Sequence, residues 1–172
     1  PENPGQGTVV VDPNTGNYTY TPKPGAEDQS DNFTIIATDT EGNESKINIT
    51  IAPAVKDETE EDTPINDGQV DLVGGVISDM TNPSYGKVTV DADGHYQYTP
   101  NANFNGKDSF YITVKNADGS ITKIQVLIDV TTVNDAPDVE NESVPTHMDV
   151  MVAGQLKAAD VGGGGVACVW CV

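Results

Sequence analysis

Residues 86–100 read GKVTVDADGHYQYTP, and residues 7–22 read GTVVVDPNTGNYTYTP. In each copy a short run with β-branched residues ends in an aspartate, a turn containing glycine follows, and Tyr-x-Tyr-Thr-Pro closes the segment. Apolar and β-branched residues on both sides of an Asp/Asn/Gly turn predict a β-hairpin. Because the hairpin occurs twice, the sequence indicates a repeat, and the period of that repeat sets the size of the folding unit.

The correspondence continues downstream of the hairpin. Residues 31–37 (DNFTIIA) match residues 108–114 (DSFYITV), and residues 46–51 (KINITI) match residues 123–128 (KIQVLI). The two copies lie 77–79 positions apart, so the repeating unit has roughly 80 residues. A unit of this length is too long for one rung of a solenoid and suits a small β-sandwich.

The composition narrows the class of protein. The chain has 172 residues, of which 36% are hydrophobic, and no stretch repeats its apolar residues with the helical period of about 3.6 residues. We therefore expect an all-β protein whose short strands form tandem immunoglobulin-like β-sandwich repeats. No window approaches the roughly 18 uninterrupted apolar residues of a membrane span, so we expect no direct membrane insertion.

The charge of the chain argues against some partners. The net charge is −19, from 27 acidic and 8 basic residues. Neutralising phosphates requires clustered lysine and arginine, so we expect no nucleic-acid binding. The same balance disfavours adsorption to an anionic membrane surface. Two interpretations of the acidic residues remain open: general solubility, or sites for a hard divalent cation.

Strand and turn patterns divide the chain into repeats and connecting segments. In the first repeat, alternate residues of two strands are apolar, and we expect them to face a core: Phe33, Ile35, Ala37, Ile47, Ile49 and Ile51. The predicted segments are residues 1–53, the C-terminal part of an Ig-like repeat; residues 54–64, an acidic linker; residues 65–133, a complete Ig-like repeat; residues 134–161, a linker and the start of a third repeat; and residues 162–172, a glycine-rich tail with two cysteines.

The outer repeats are shorter than the middle one. We therefore expect the chain to be a piece of a longer protein, in which neighbouring sequence completes the partial repeats. An alternative is that the C-terminal strand completes the first repeat, within one molecule or between two.

The motifs resemble a known class of repeat. The pattern Gly-x-Val-x-x-Asp, Gly-x-Tyr-x-Tyr-Thr-Pro and Gly-x-Asp-x-Phe, closed by Val-Asn-Asp-Ala-Pro at residues 133–137, is similar to the tandem cadherin-like, immunoglobulin-like repeats of very large bacterial surface proteins. These include the repeats-in-toxin adhesins that build biofilms. The resemblance implies an extracellular structural extender at the bacterial cell surface, rigidified by calcium and flanked by neighbouring repeats of the same polypeptide.

In such families calcium often lies at the junctions between repeats, and the resemblance places it on particular residues here. The residues that match the family's junctions are Asn134 and Asp135, with Glu61 and Asp62 at the first junction, which departs from the family by having Ala52-Pro53 and no Asn-Asp pair. The preference of calcium for carboxylate and amide oxygens adds Asp138, Asn116 and Asp118 as further candidate ligands. The closing motif is expected to supply several oxygens, the turn at residues 116–119 to complete the shell from the facing unit, and Glu61 with Asp62 to serve the first junction. The alternatives are a capped turn before Pro137 and a solvated, extended hinge at residues 54–64.

Other features favour a role without catalysis. The sequence offers no Ser/His/Asp or Cys/His set and no phosphate-cradling glycine loop on a helix, so we expect no enzymatic activity. Asp91-Ala-Asp-Gly resembles the start of a calcium loop, but Ala102 occupies its twelfth position, so a hairpin turn with a solvent-facing His95 is the better interpretation. Cys168 and Cys171 lack a second pair of ligands and are interpreted as part of an incidental tail.

Two alternative functions remain open at this point. A glycan- or protein-binding Ig-like module would use tyrosines that are expected to be exposed. These tyrosines are Tyr18, Tyr20, Tyr96, Tyr98 and Tyr111. The other alternative is an accessory domain beside an exported hydrolase.

Overall fold

The computed structural model describes residues 4–26 and 28–134, and beyond them the backbone of residues 138–139 and 158–159. The regular elements of this part of the chain are all β-strands, as expected from the sequence. Their bounds are Gly7–Val11 (β1), Tyr18–Pro22 (β2), Asp31–Thr38 (β3), Glu44–Ile51 (β4), Val55–Glu60 (β5), Ile65–Gln69 (β6), Val76–Met80 (β7), Gly86–Val90 (β8), His95–Pro100 (β9), Gly106–Lys115 (β10), Ile121–Thr131 (β11), Asp138–Val139 (β12) and Ala158–Ala159 (β13).

Strands β5 to β11 form a β-sandwich, which we call the second unit. Strands β6, β9 and β8 make one sheet, while β5, β11, β10 and β7 lie in the sheet that faces it. Side chains from both sheets form one buried cluster: Val70, Leu72, Val88, Tyr96, Tyr98, Phe110, Ile112, Val114, Ile124, Val126, Ile128 and Val130. The alternation of side chains along each strand produces this core, and every second residue of β11 is buried.

Strands β1 to β4 form a smaller arrangement, which we call the first unit. Its β1–β2 hairpin packs on the β3–β4 pair through the rings of Tyr18 and Phe33, whose centroids lie 5.5 Å apart in an edge-to-face contact. The rings of Tyr96 and Phe110 make the same contact in the second unit, also at 5.5 Å. The hairpin predicted from the repeated motif is thus confirmed in both copies.

The core expected of the first unit is present only near the hairpin. The predicted residues in that region are buried or half-buried: Phe33, Ile49, Ile35 and Ile51. The expectation was wrong for Ala37, which is exposed, and for Ile47, which is 48% exposed. The counterpart of Ile47 in the second unit, Ile124, is 3% exposed. Two strands cover the sheet in the described part of the first unit, whereas three cover it in the second.

The stretch from residue 54 to 64, expected to be an acidic linker, contributes a strand to the sandwich. Strand β5 runs parallel to β11, with Val55 opposite Val126 and Glu60 opposite Thr131. The interpretation of these residues as a solvated hinge was therefore wrong. Charged side chains are typical of edge strands, where they discourage pairing with other molecules, so an acidic composition is compatible with this position.

One sheet continues across the junction between the two units. Strand β4 runs parallel to β11, with Ile49–Ile51 paired to Ile121–Lys123, and β5 then continues along the same strand. The N–H of Ala52 donates to the carbonyl of Lys123 at 2.8 Å. Pro53, which has no N–H to donate, lies between the two ladders. The chain is therefore held along β11 on both sides of the junction.

A buried aspartate at the start of β10 ties several elements of the second unit together. The Asp108 carboxylate accepts hydrogen bonds from the N–H groups of Ser84, Tyr85 and Ser109 and from the Tyr98 hydroxyl, each at 2.9 Å. Asp108 is 5% exposed. Burying a carboxylate is costly unless its oxygens are hydrogen-bonded, and four donors meet that requirement here.

The first unit repeats this arrangement at Asp31, which is also 5% exposed. Its carboxylate accepts the N–H groups of Gly5, Gln6 and Asn32 at 2.9 Å and the Tyr20 hydroxyl at 2.8 Å. Burial alone would raise the pKa of Asp31, but these hydrogen bonds outweigh it and hold that pKa below its usual value. Burial and the bond to Asp31 raise the pKa of Tyr20 to about 12.

A glycine is needed beside each tyrosine that binds these aspartates. A Cβ atom at Gly86 would lie 2.5 Å from the Tyr98 ring, and one at Gly7 would lie 2.4 Å from the Tyr20 ring. Both distances are too short for any side chain, so the glycine that opens each copy of the motif lets the tyrosine reach its aspartate.

The predicted third repeat lies largely outside the described residues. Strands β12 and β13 pair antiparallel, with Asp138 opposite Ala159. The described partner of β13 is thus β12. This pairing gives no support to the alternative in which the C-terminal strand completes the first repeat. Cys168 and Cys171 lie outside the described residues.

The substitution Asp108→Asn is expected to lower the free energy of unfolding by roughly 3 kcal/mol, because an amide nitrogen then faces an N–H donor in a buried site. Urea unfolding measures the change. Asp129→Asn is the matched control. Among the described residues, this solvent-accessible carboxylate forms a surface ion pair with Lys107 at 2.8 Å, and a loss below about 1 kcal/mol is expected. Equal losses in the two variants would contradict the role of Asp108.

The Tyr20–Asp31 pair makes stability depend on pH at both extremes. The pKa of Tyr20 rises from 10.0 to about 12 on folding, so its stabilisation is fully present below pH 10 and is lost as the pH rises towards 12. The pKa of Asp31 falls below 3.8 on folding, so its stabilisation is present above that pH and is lost as the pH drops further.

Tyr20→Phe is therefore expected to make the alkaline fall in unfolding free energy shallower between pH 10 and 12. Urea titrations at a series of pH values measure this slope. Tyr85→Phe, at a tyrosine that is 50% exposed, is the control. An alkaline slope that Tyr20→Phe leaves as steep as in the parent chain would rule out the coupling.

Candidate functional site

The predicted ligands fall into two groups at opposite ends of the second unit. Glu61, Asp62 and Asn134 lie where β5 and β11 end, whereas Asn116 and Asp118 lie in the turn before β11 begins. Strand β11 has 11 residues, and a strand rises about 3.3 Å per residue, so the two ends are roughly 35 Å apart. One ion cannot contact both groups within one molecule. The prediction that Glu61 and Asp62 bind calcium at the first junction was also wrong. Both residues lie at the end of β11, whereas the first junction lies at its beginning.

Glu61 is a buried carboxylate that contacts the start of the closing motif. It is 3% exposed. Its Oε1 accepts the N–H of Val133 at 2.7 Å, and its Oε2 accepts the side-chain amide of Asn105 at 3.4 Å. The ion pairs found among the described residues involve other carboxylates. A buried carboxylate held by neutral donors alone is a favourable position for a cation.

Asp62 follows directly and is exposed. Its backbone is left-handed, with φ of 59°, and that of Asn103 is left-handed as well, with φ of 56°. The N–H of Asn103 donates to Asp62 Oδ1 at 3.0 Å. Aspartate and asparagine tolerate this conformation better than other side chains. The loop before β10 thereby fixes a second carboxylate at the same end of the sandwich as Glu61.

The closing motif, residues 133–137, begins beside Glu61 and Asp62. Val133 is bonded to Glu61, and the next residue, Asn134, is exposed. Asp135 and the side chain of Asp138 lie outside the described residues, so their role as ligands stays a prediction.

The turn at the other end is closed by its own hydrogen bonds. The Asn116 amide donates to Ser120 Oγ at 2.9 Å and to Thr122 Oγ1 at 3.0 Å. The Asp118 carboxylate accepts the Ser120 hydroxyl at 2.6 Å and the Ser120 N–H at 2.9 Å. These two bonds lower the pKa of Asp118. Asn116 and Asp118 thus have a structural role in this turn, and metal binding by them stays a prediction.

A third acidic group comes together on the β8–β9 hairpin. Among the described residues, Asp91, Asp93 and His95 offer ligand atoms within 4.8 Å of one another, and all three are exposed. The Asp91 carboxylate accepts the N–H groups of Asp93 and His95 at 3.0 and 2.9 Å. The predicted hairpin turn with a solvent-facing His95 is confirmed, and these bonds explain the position of Asp91. Burial alone would raise the pKa of Asp91, but these hydrogen bonds hold that pKa below its usual value.

The five tyrosines expected to be exposed do not share one surface. Tyr96 and Tyr98 are 1% and 0% exposed, so the prediction was wrong for these two. Their rings fill the core, and their hydroxyls donate to Asp57 and Asp108, respectively. Burial and the bond to Asp57 raise the pKa of Tyr96. A period of two along β9 puts both tyrosines on the inner face, which the sequence pattern does not distinguish from the outer one.

The remaining three tyrosines line a cleft between the units. Its volume is about 530 Å³, and Tyr18, Tyr20 and Tyr111 line it together with Lys123 and Gln125. Tyr111 is 42% exposed. Sequence reasoning missed this cleft, because the residues that line it are brought together by the pairing of β4 with β11, strands of different units that local patterns do not place side by side.

The chain is thus built of immunoglobulin-like β-sandwich units arranged in tandem. The sequence profile of the bacterial Ig domain family matches residues 2–52 and, a second time, residues 51–131. The chain belongs to this family. The resemblance to bacterial Ig-like repeats that the motifs predicted is therefore confirmed. No curated protein sequence matches the chain.

Solved structures of cadherin type resemble the fold at low similarity. The extracellular cadherin domains 1–5 of protocadherin gamma B2 are 13% identical, with a TM-score of 0.41 over 95% of this chain. Protocadherin gammaB7 EC3–6, described as a cis-dimer, is 13% identical, with a TM-score of 0.36 over 94% of this chain. The chain spans 39% and 51% of the lengths of those two solved chains. Likeness at this level says nothing about what the present chain binds.

The described residues include no helix long and apolar enough to cross a membrane.

Proposed function

We propose that this chain is an extracellular structural spacer of a bacterial surface adhesin, in which tandem Ig-like units hold a binding region away from the cell. Membership of the bacterial Ig domain family and the repeat itself support this role. The sheet shared between the units supports it as well, because a continuous ladder resists bending at the junction. Such a role is non-catalytic, as is typical of Ig-like modules.

We further propose that the end of the second unit beyond β11 binds calcium. The observation that carries this is the Glu61 carboxylate, which is 3% exposed and bonded to the N–H of Val133 at the start of the closing motif. Glu61, Asp62, Asn134 and Asp135 would supply carboxylate and amide oxygens, the ligands that calcium prefers. The adjacent negative charges repel one another until a divalent cation neutralises them, and the segment after β11 then becomes stiff.

Calcium is expected to bind the purified chain and to raise its melting temperature. At a calcium concentration one hundred times the dissociation constant, the gain is about 2.7 kcal/mol. Calorimetric titration and thermal unfolding measure both effects. The double substitution Glu61→Gln with Asp135→Asn should abolish them, and the matched control, Glu60→Gln with Asp129→Asn, should retain them.

Absence of heat on titration, together with a melting temperature that EDTA leaves unchanged, would contradict the calcium site. The same result would leave the spacer as a passive tether. Binding that survives the loss of Glu61 and Asp135 would place the ion elsewhere.

The cleft between the units favours a second candidate function, the binding of a glycan or of a partner protein. Tyr111 presents a partly exposed ring there, beside the cation of Lys123 and the amide of Gln125. Aromatic rings provide apolar faces for a ligand, while convergent polar groups fix its orientation.

If this cleft binds glycans, Tyr111→Ala is expected to weaken a glycan-array signal at least tenfold, because the ring supplies the apolar face. Tyr85→Ala, at an exposed tyrosine outside the cleft, is the control and should leave the signal unchanged. An array without hits, or an equal loss in both variants, would eliminate this function.

A further inference from the structure

The two units can be compared residue by residue, because β4 of the first corresponds to β11 of the second. In the second unit β5 adds along the outer side of β11, with Asp57 opposite Ile128. The position in the first unit that corresponds to Ile128 is Ile51, and Lys123 lies opposite it. Residues 121–123 of β11 therefore occupy the edge of β4 that corresponds to the edge of β11 occupied by the acidic strand β5.

The side chain at this position is Asp57 in the second unit and Lys123 in the first. The neighbouring tyrosines therefore make different contacts. In the second unit the Tyr96 hydroxyl donates to the Asp57 carboxylate. The counterpart of Tyr96 is Tyr18, and Lys123 Nζ lies 5.9 Å from the centroid of its ring. An ammonium group has no lone pair, so Lys123 cannot accept the hydrogen of the Tyr18 hydroxyl.

The Tyr18 hydroxyl has no hydrogen-bond partner in the part of the chain that the structure describes. Among the described residues it is the buried side-chain polar atom that makes no hydrogen bond. A buried donor without an acceptor is unfavourable, and the sister unit shows that a carboxylate on an added strand satisfies the equivalent hydroxyl. The first unit thus has the donor hydroxyl of this interaction, while the second unit has both the hydroxyl and the carboxylate that accepts its hydrogen bond.

We propose that the outer edge of β4 from Ile49 onwards is a docking site for an acidic β-strand of the β5 type. The docked strand runs parallel to β4 and places an aspartate opposite Ile51, within reach of the Tyr18 hydroxyl. The proposal does not depend on the proposed calcium site, whose residues lie at the other end of the second unit.

Docking requires the start of β11 to leave this edge. That segment is held by three residue pairs, Ile49–Ile51 against Ile121–Lys123, and by the bond from Ala52. The exposed Lys56–Asp28 ion pair, at 2.6 Å, also joins the two units, and surface pairs of this kind contribute little to stability. The ladder is short compared with the six pairs between β5 and β11. An acidic strand can therefore replace it, and the exchange separates the first unit from β11, so that docking releases the junction.

The carboxylate preference can be tested within the chain. Lys123→Asp places an acceptor at the position equivalent to Asp57, and Lys123→Asn is its uncharged match. The aspartate variant is expected to melt at a higher temperature than the asparagine variant, and the difference should vanish when each is combined with Tyr18→Phe. A difference that persists without the hydroxyl, or no difference with it, overturns the assignment of the carboxylate to Tyr18.

Docking itself is tested with a synthetic peptide of residues 53–61 and a second peptide carrying Asp57→Asn, each titrated into the full chain. NMR shifts are expected at Ile49–Ala52 and Ile121–Lys123, with the aspartate peptide binding about tenfold more tightly. The two peptides should bind equally to the Tyr18→Phe variant.

Three outcomes would overturn the proposal. The first is no shift at Ile49–Ala52. The second is shifts confined to Val126–Thr131, which would mean that the peptide replaces β5 instead. The third is dimerisation of the chain through β4 in the absence of peptide, measured by light scattering, which would assign this edge to a second copy.

Discussion

A carboxylate buried among four hydrogen-bond donors is the constraint on which each unit depends. Asp108 in one unit and Asp31 in the other accept three backbone N–H groups and one tyrosine hydroxyl. The donors come from a loop, from the hairpin and from the strand that carries the aspartate, so one side chain fixes three segments of chain. The recurrence of glycine, tyrosine and aspartate at matching positions follows from this geometry, because the glycine leaves room for the ring and the ring brings the hydroxyl to the acid.

The junction between the units depends on one long strand. Strand β11 pairs with β10 along most of its length on one side, and on the other side it pairs first with β4 and then with β5. The connection between repeats is therefore a segment of sheet in which the acidic β5 forms an edge. The acidic residues therefore lie in two separate environments. Those of β5 lie on a sheet edge, where charged side chains discourage pairing with other molecules, while Glu61, just after β5, contacts the closing motif.

Comparison of the two units shows how much the neighbouring strands change the environment of equivalent residues. Ile124 is covered, whereas its counterpart Ile47 is 48% exposed, although the two strands have the same pattern. Tyr96 has an acceptor, and Tyr18 has none among the described residues, although both rings pack edge-to-face on a phenylalanine. A repeated sequence thus gives the same local structure, while burial and hydrogen bonding depend on which strand lies alongside.

The sequence by itself determined the repeat, the hairpins, the all-β class and the alternation that builds the core, because these follow from local turn chemistry and from a side-chain period of two. It also indicated Glu61 and the closing motif as a pair of interest, although it assigned them to different junctions. Only the tertiary structure showed that β5 is a strand, that Glu61 is bonded to Val133, that Tyr96 and Tyr98 point inwards, and that Tyr18, Tyr111 and Lys123 share a cleft. Each of these depends on pairing between residues far apart in the chain, and neither composition nor local periodicity specifies which strand lies beside which.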